Sequence, residues 1–289
     1  MLQVVPIIFP VFFIVLCGYV YARFEQPDMH VINKMILELL VPALVFSVMS
    51  SKEFEIAIYA DLAIAASVII LVSGLAAFIT ATLFSYNWRT LVPPMMFKNW
   101  GNLGIPLIVF TFGEQALNAA VILFLVGNIF HFTLGIFLMS GQLKLMEFVR
   151  TPVIIAMFLG LLVNLSGLEL STAVIRPLDM IGQAAIPMML LSLGVRLQHV
   201  QWNDLSMALA GCILGPSIGV LIALLMSVVL NMDADQAKQI LIFGALPPAV
   251  MNFIFAERYN LEPEKVASLV LMSNMMSIGV YAVVLYFVV

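Results

Sequence analysis

Hydrophobic residues occupy this chain in long blocks, separated by short clusters rich in charge, Gly, Pro and Asn. The blocks predict ten helical spans, at residues 4–22, 31–50, 58–84, 91–111, 115–140, 151–167, 178–195, 204–230, 236–256 and 265–288. Each holds the roughly 17 residues or more that a helix needs to cross a hydrocarbon core. Local punctuation agrees at two of the starts. Asp233 with Gln236 resembles a capping pair ahead of the ninth span, and Pro263 stands where the first turn of the tenth begins.

Composition carries the same message to the whole molecule. Of 289 residues, 63% are hydrophobic and 10% charged, and the mean hydropathy is +1.13. A soluble domain carries about 25% charged residues, so a water-soluble enzyme is excluded and a polytopic membrane protein is expected. Ten spans of about 20 residues leave about nine per connection, too few for a soluble domain or a nucleotide-binding cassette. The net charge of -4, with no basic stripe, argues against a nucleic-acid partner. Cys17 and Cys212 lie in apolar runs with no second cysteine or histidine near them, so both read as buried thiols. The first run lacks a basic leader and a small-x-small cleavage site, so it reads as a retained span.

Basic residues suggest the orientation. One set of alternate loops holds Arg23, Arg89, Lys144, Arg150, Arg196, Arg258 and Lys265, against Lys52, Arg176 and Lys238 in the other. The positive-inside bias places the first set in the cytoplasm, here that of a bacterial inner membrane, and both termini outside. Trp88 and Trp202 fall on the cytoplasmic side, where an aromatic belt is expected.

The chain also repeats itself. Pro42 of the second span and Pro187 of the seventh are 145 residues apart, and Asn128 of the fifth and Asn274 of the tenth are 146 apart. Two halves of five spans follow, 1–145 and 146–289, forming one membrane domain. Because five is odd, the second half crosses the membrane inverted relative to the first, a plan common in secondary transporters. At the same offset the middle of span four, Asn99 to Pro106, meets the middle of span nine, Gly244 to Asn252. Gly101, Gly104 and Pro106 in one, and Pro247 and Pro248 in the other, cannot continue a regular helix without cost. A helix broken at mid-membrane exposes half-ends of about half an elementary charge each. Unwound amides then suit an anion and carbonyls suit a small cation. Asn99, Asn102 and Asn252 add donors and acceptors in the same layer. A proline kink with asparagines bonding helices together is the structural alternative.

The run Asn99-Trp100-Gly101-Asn102-Leu103-Gly104-Ile105-Pro106 resembles the Asn-x-Gly-x-x-Gly-x-Pro signature of bacterial auxin efflux carrier family transporters. Ala245 to Asn252, followed by Ala256-Glu257-Arg258-Tyr259, is similar to that family's second crossover, and the likeness spans essentially the whole chain. It implies a ten-span fold with crossed broken helices four and nine, a scaffold part and a moving part, and pairing of chains through the scaffold. It also implies a weak-acid or organic-anion substrate, such as a dicarboxylate or auxin. Two departures stand out. The long mid-chain cytosolic loop of the plant carriers is replaced by about Gly141 to Arg150, and no acid lies between Pro247 and Asn252.

Among polar residues at membrane depth, Lys98 lies about 10 Å past Leu91 and is expected to attract a substrate carboxylate or else to snorkel to the interface. Glu38, four residues before Pro42, either carries a proton or pairs with Lys34 one helical turn away. Asn128 and His131 share one face, as do Asn274 and Ser277, and the symmetry places both pairs along the crossover. His131 either titrates near neutral pH or makes one interhelical hydrogen bond. Pro42 and Pro187 read as bends, and Trp100 as packing or as a stacking surface for an aromatic substrate.

The leading reading is an alternating-access carrier of a small organic anion. No cofactor is expected, while coupling to H+ or Na+ stays open. A cation/proton antiporter of the same fold, a channel and a non-transporting sensor are the alternatives. A membrane enzyme is disfavoured, because no acid cluster, Ser/His pair or metal spacing is present.

Overall fold

The computed structural model describes residues 5–25, 27–199 and 205–288, so Trp202 lies outside the described residues. Those residues are helical throughout, and their one piece of β structure is an isolated antiparallel bridge between Lys98 and Pro248. The first three hydrophobic blocks form α1 (Val5–Glu25), α2 (Met29–Met49) and α3 (Ile56–Leu83). The fourth block is divided into α4 (Trp88–Met96) and α5 (Trp100–Phe112). Next come α6 (Glu114–Ser140), a short α7 (Leu145–Val149), α8 (Pro152–Ser166), α9 (Thr172–Arg196) and α10 (Ser206–Val229). The ninth block is divided into α11 (Ala234–Ala245) and α12 (Met251–Tyr259), and α13 (Pro263–Val288) completes the series. Seven of these, α1, α2, α3, α6, α9, α10 and α13, are long and apolar enough to cross a membrane.

Capping residues set several starts. Asp28 accepts from the His30 N–H at 2.8 Å, Asn87 from Arg89 at 3.0 Å, and Asp233 from Gln236 at 2.9 Å. The last is the predicted capping pair, and α13 begins at the predicted Pro263. Prolines also reshape helices from within. Pro42 cannot donate to the Glu38 carbonyl, nor Pro106 to that of Asn102. The ladder widens to a π turn just before each, at Ile36–Leu40 and Trp100–Gly104, where Val41 and Ile105 donate to Ile36 and Trp100.

Helices α1, α2, α8 and α9 pack into one panel. A Cβ on Gly18 would lie 2.2 Å from the Leu191 carbonyl oxygen, and one on Gly194 1.9 Å from that of Val15. Only glycine lets α1 and α9 meet backbone to backbone. The remaining long helices form a second group, in which α3 packs on α4, α6 and α10, and α10 packs on α11 and α13. Large apolar side chains cover the outside, among them Phe9 and Phe13 of α1, Leu162 of α8 and Leu221 of α10. A patchwork of that extent suits lipid rather than water. Cys17 is exposed, not buried as its apolar neighbours suggested, because it lines an open pocket with Tyr21, Ile32 of α2 and Met188 and Leu191 of α9. Cys212 is buried, with its Sγ 3.1 Å from Ser273 Oγ.

Candidate functional site

The second divided helix stops where Pro247 and Pro248 remove backbone donors, whereas the first stops after Met96 with no proline at the break. Phe97, past the end of α4, is extended at φ -103 and ψ 102. Leu246, past the end of α11, takes φ -58 and ψ 142 ahead of Pro247 and Pro248. In a dry environment each freed backbone group costs several kcal/mol unless it finds a partner. The two breaks supply each other. The Asn99 N–H donates to the Pro247 carbonyl at 2.7 Å, and the Ala249 N–H donates to that of Phe97 at 3.0 Å. The chain segments thus cross as a short antiparallel bridge.

Three asparagines complete the crossing. Asn252 Nδ2 donates to the Phe97 carbonyl at 2.8 Å, and Asn274 Nδ2 donates to those of Pro248 at 3.0 Å and Val270 at 2.8 Å. Asn99 Nδ2 donates to Asn274 Oδ1 at 3.0 Å, which links the first half of the chain to the last helix. All three residues are buried. The remaining Asn252 atom, the acceptor Oδ1, faces the buried His131 side chain, beyond normal hydrogen-bond range.

Lys98 is 2% exposed, and its ammonium donates to the Gly244 carbonyl at 2.8 Å and the Gly215 carbonyl at 2.9 Å. It neither reaches a cavity nor snorkels to the interface, because two backbone carbonyls inside the protein hold it. Gly101 and Gly104 lie against Phe124 and Leu246, where a Cβ would stand 3.0 Å from each ring or side chain. Trp100 stacks on Phe243 with centroids 5.4 Å apart and meets Phe97 edge-on, so its ring is occupied by packing.

Other predicted residues sit apart from this network. Asn128 donates to the Phe124 carbonyl of its own helix at 2.8 Å, and Ser277 to the Asn274 carbonyl at 2.6 Å. Neither satisfies a loose crossover group, since each finds a nearer acceptor one turn back. The half-buried Asn102 amide makes no hydrogen bond among the described residues. His131 is buried and stacks on Phe97 at 4.4 Å and against Phe255 at 5.3 Å, with its Nε2 unpartnered. It meets the crossing through its ring on Phe97 and faces the Asn252 side chain.

A cleft of about 1100 Å³ runs between the panel and the second group. Its walls include Asn33, Lys34, Glu38 and Arg196 from the panel, and Val250, Met251, Glu257 and Glu264 from the other side. Glu38 lies 4.0 Å from Lys34, and both side chains are more than half exposed. The cleft reaches the second break at the start of α12. Among the described residues neither the Val250 nor the Met251 N–H has a hydrogen-bond acceptor.

Sequence reasoning did not reach Gly215 and Gly219, nor that Arg196 lines the cleft. A signal for the first pair was present, because Gly211, Gly215 and Gly219 recur at four-residue spacing along one face of α10. Among the described residues no group of histidine, cysteine and acidic residues is arranged to hold a metal ion.

Comparison with known proteins extends this picture. A family model described as membrane transport protein matches residues 3–148 and 141–285. An uncharacterized transporter of Methanocaldococcus jannaschii is 22% identical, over 94% of each chain. A Rhizobium meliloti protein, named provisionally as a malonate transporter, is 23% identical over 100% of this chain and 97% of its own. An uncharacterized transporter of Methanothermobacter thermautotrophicus is 26% identical over 92% of each. Multi-pass apolar helices, paired helix breaks and a match along nearly the whole length agree: this chain belongs to the membrane transport protein family, the auxin efflux carrier-like group that its Asn99 to Pro106 motif resembles, and it is a membrane transporter, not an enzyme.

Proposed function

We propose that this transporter is a secondary carrier of a small organic anion, working by alternating access at the crossed breaks. The observation that carries the reading is the start of α12, where Val250 and Met251 line the cleft and their backbone amides have no acceptor among the described residues. A helix start with free amides favours an anion, by typically 0.3–1 kcal/mol from the dipole and more when it is partly buried. The relative named for malonate transport makes a short dicarboxylate the first substrate to try.

In this reading ten spans form two inverted repeats, 1–145 and 146–289, and the second group of helices moves against the α1, α2, α8, α9 panel. The protein lies in a bacterial inner membrane with both termini outside, and chains pair through the panel. Of the two coupling candidates, Glu38 faces the cleft while His131 is enclosed by aromatic rings. Glu38, however, keeps its ion pair with Lys34 and is more than half exposed, which is the structural alternative, so coupling to H+ or Na+ is assigned to neither.

The test is substrate-triggered charge movement in proteoliposomes, with malonate, other mono- and dicarboxylates and indole acids. Wild type and Asn99→Ala are compared with and without sodium and a pH gradient. A saturable current from one acid, lost in Asn99→Ala, is the expected result. Silence across the panel from folded protein, with electroneutral uptake of labelled acids also absent, overturns the anion reading. A pH-independent rate in both wild type and Glu38→Gln removes the proton role.

A further inference from the structure

We infer that the Lys98 ammonium is a tethered cation that fills a monovalent-cation site built from the Gly215 and Gly244 carbonyls. The inference concerns the charge balance of the crossing and stands apart from the identity of the substrate. It begins with Gly244, in the last turn of α11. Its carbonyl would ordinarily accept from the residue four positions on, but that residue is Pro248, which has no N–H. The carbonyl is thus left at the negative end of a half-helix, where a cation is favoured.

The second carbonyl arrives because two glycines let the backbones touch. A Cβ on Gly219 would lie 2.0 Å from the Gly244 oxygen and 2.9 Å from Lys98 Nζ, so α10 and α11 can approach this closely only without side chains. The approach brings Gly215 and Gly244 oxygens to 2.9 and 2.8 Å from one nitrogen. Lys98 makes no ion pair with a carboxylate among the described residues. Its charge is balanced by carbonyl dipoles, as a small cation's would be at an unwound membrane helix. The charge is part of the chain, so this position needs no exchangeable sodium ion.

Thermal unfolding of the purified protein in N-methyl-D-glucamine buffer tests this. Lys98→Ala removes a fragment matching n-propylammonium, which is therefore the probe, with 1-propanol as the neutral control. Expected is a melting temperature for Lys98→Ala lowered by roughly 5 °C or more. At least half of that loss should return, saturably, with n-propylammonium and not with 1-propanol. Wild type should be unmoved by n-propylammonium or sodium. Lys98→Met, which keeps the length and loses the charge, should melt below wild type. Equal melting of Lys98→Met and wild type overturns the inference. So does a rise of the wild-type melting temperature with sodium, or no selective response of Lys98→Ala. If Lys98→Ala does not fold, the comparison of Lys98→Met with wild type decides.

Discussion

At the scale of single residues, the crossing depends on a glycine outside it. A Cβ on Gly127 of α6 would stand 1.9 Å from a carbon of the Trp100 ring, so Gly127→Ala must expel that ring from its place on Phe243. Overpacking of a dense core typically costs about 1–3 kcal/mol, occasionally more. Gly127→Ala is therefore expected to melt markedly below wild type, with tryptophan emission shifted to the red. An unchanged spectrum and melting curve would show that Trp100 is not seated there. The asparagines permit a finer measurement. Asn274→Ala strips partners from Asn99 and from the Pro248 carbonyl together, whereas Asn99→Ala removes one donor. A buried group left unpaired costs about 1–3 kcal/mol, so Asn274→Ala should be the more damaging. The double-mutant cycle should give a coupling of about 1 kcal/mol between them, and additivity would argue against the bond. Asn99, Asn252 and Asn274 were legible in the sequence because amides at membrane depth are costly. The partners of Lys98 were not, since backbone carbonyls from α10 and α11 leave no side-chain signature.

At the scale of elements, the hydrophobic blocks located the helices to within a few residues, and Pro247-Pro248 located one break. What they could not reveal is how a missing donor is accommodated. Pro42 and Pro106, each a single missing donor, follow π turns inside their helices, whereas the consecutive Pro247 and Pro248 follow the end of theirs. Another tie holds the elements that flank the breaks. Thr90, fully buried in the first turn of α4, donates to Glu262 Oε2 at 2.7 Å just ahead of α13. Hydrogen bonds from Lys265 and Thr90 hold the Glu262 carboxyl below the usual carboxylate range. Its contribution is therefore fully present above about pH 4.3, the unfolded value for glutamate, and is lost as pH falls through the lower folded value. With the side chain 35% exposed, solvent screening limits the effect to less than about 1 kcal/mol. Glu262→Gln should melt slightly below wild type at pH 7, and the gap should close as pH falls toward 3.5. A gap of constant size would show that the carboxylate charge plays no part.

At the scale of the whole molecule, two packing styles meet at the cleft. Inside the panel, glycines lock α1 to α9 backbone to backbone, which favours movement as one body. The cleft runs along the boundary between that body and the helices carrying the breaks, and Met29, His30 and Glu264, at the starts of α2 and α13, line one end of it. Those residues adjoin Arg23, Arg258 and Lys265, the basic set that the positive-inside bias assigns to the cytoplasm. The mouth of the cleft and the orientation are thus tied together and can be tested together. Ile254 lines the cleft, so Ile254→Cys, in a background with Cys17 and Cys212 replaced by alanine, reports access. A membrane-impermeant maleimide should label it in inside-out vesicles and spare it in right-side-out ones. Labelling from the outside alone would reverse the orientation. Labelling from both sides at similar rates would point to a continuous pore, as in a channel. If the second group moves as proposed, a transported acid at saturating concentration should change the labelling rate at Ile254→Cys. It should leave unchanged the rate, read in right-side-out vesicles, at a control cysteine placed at the exposed Glu169, outside the cleft. An identical rate at Ile254→Cys with and without an acid that is demonstrably transported would place the moving boundary elsewhere.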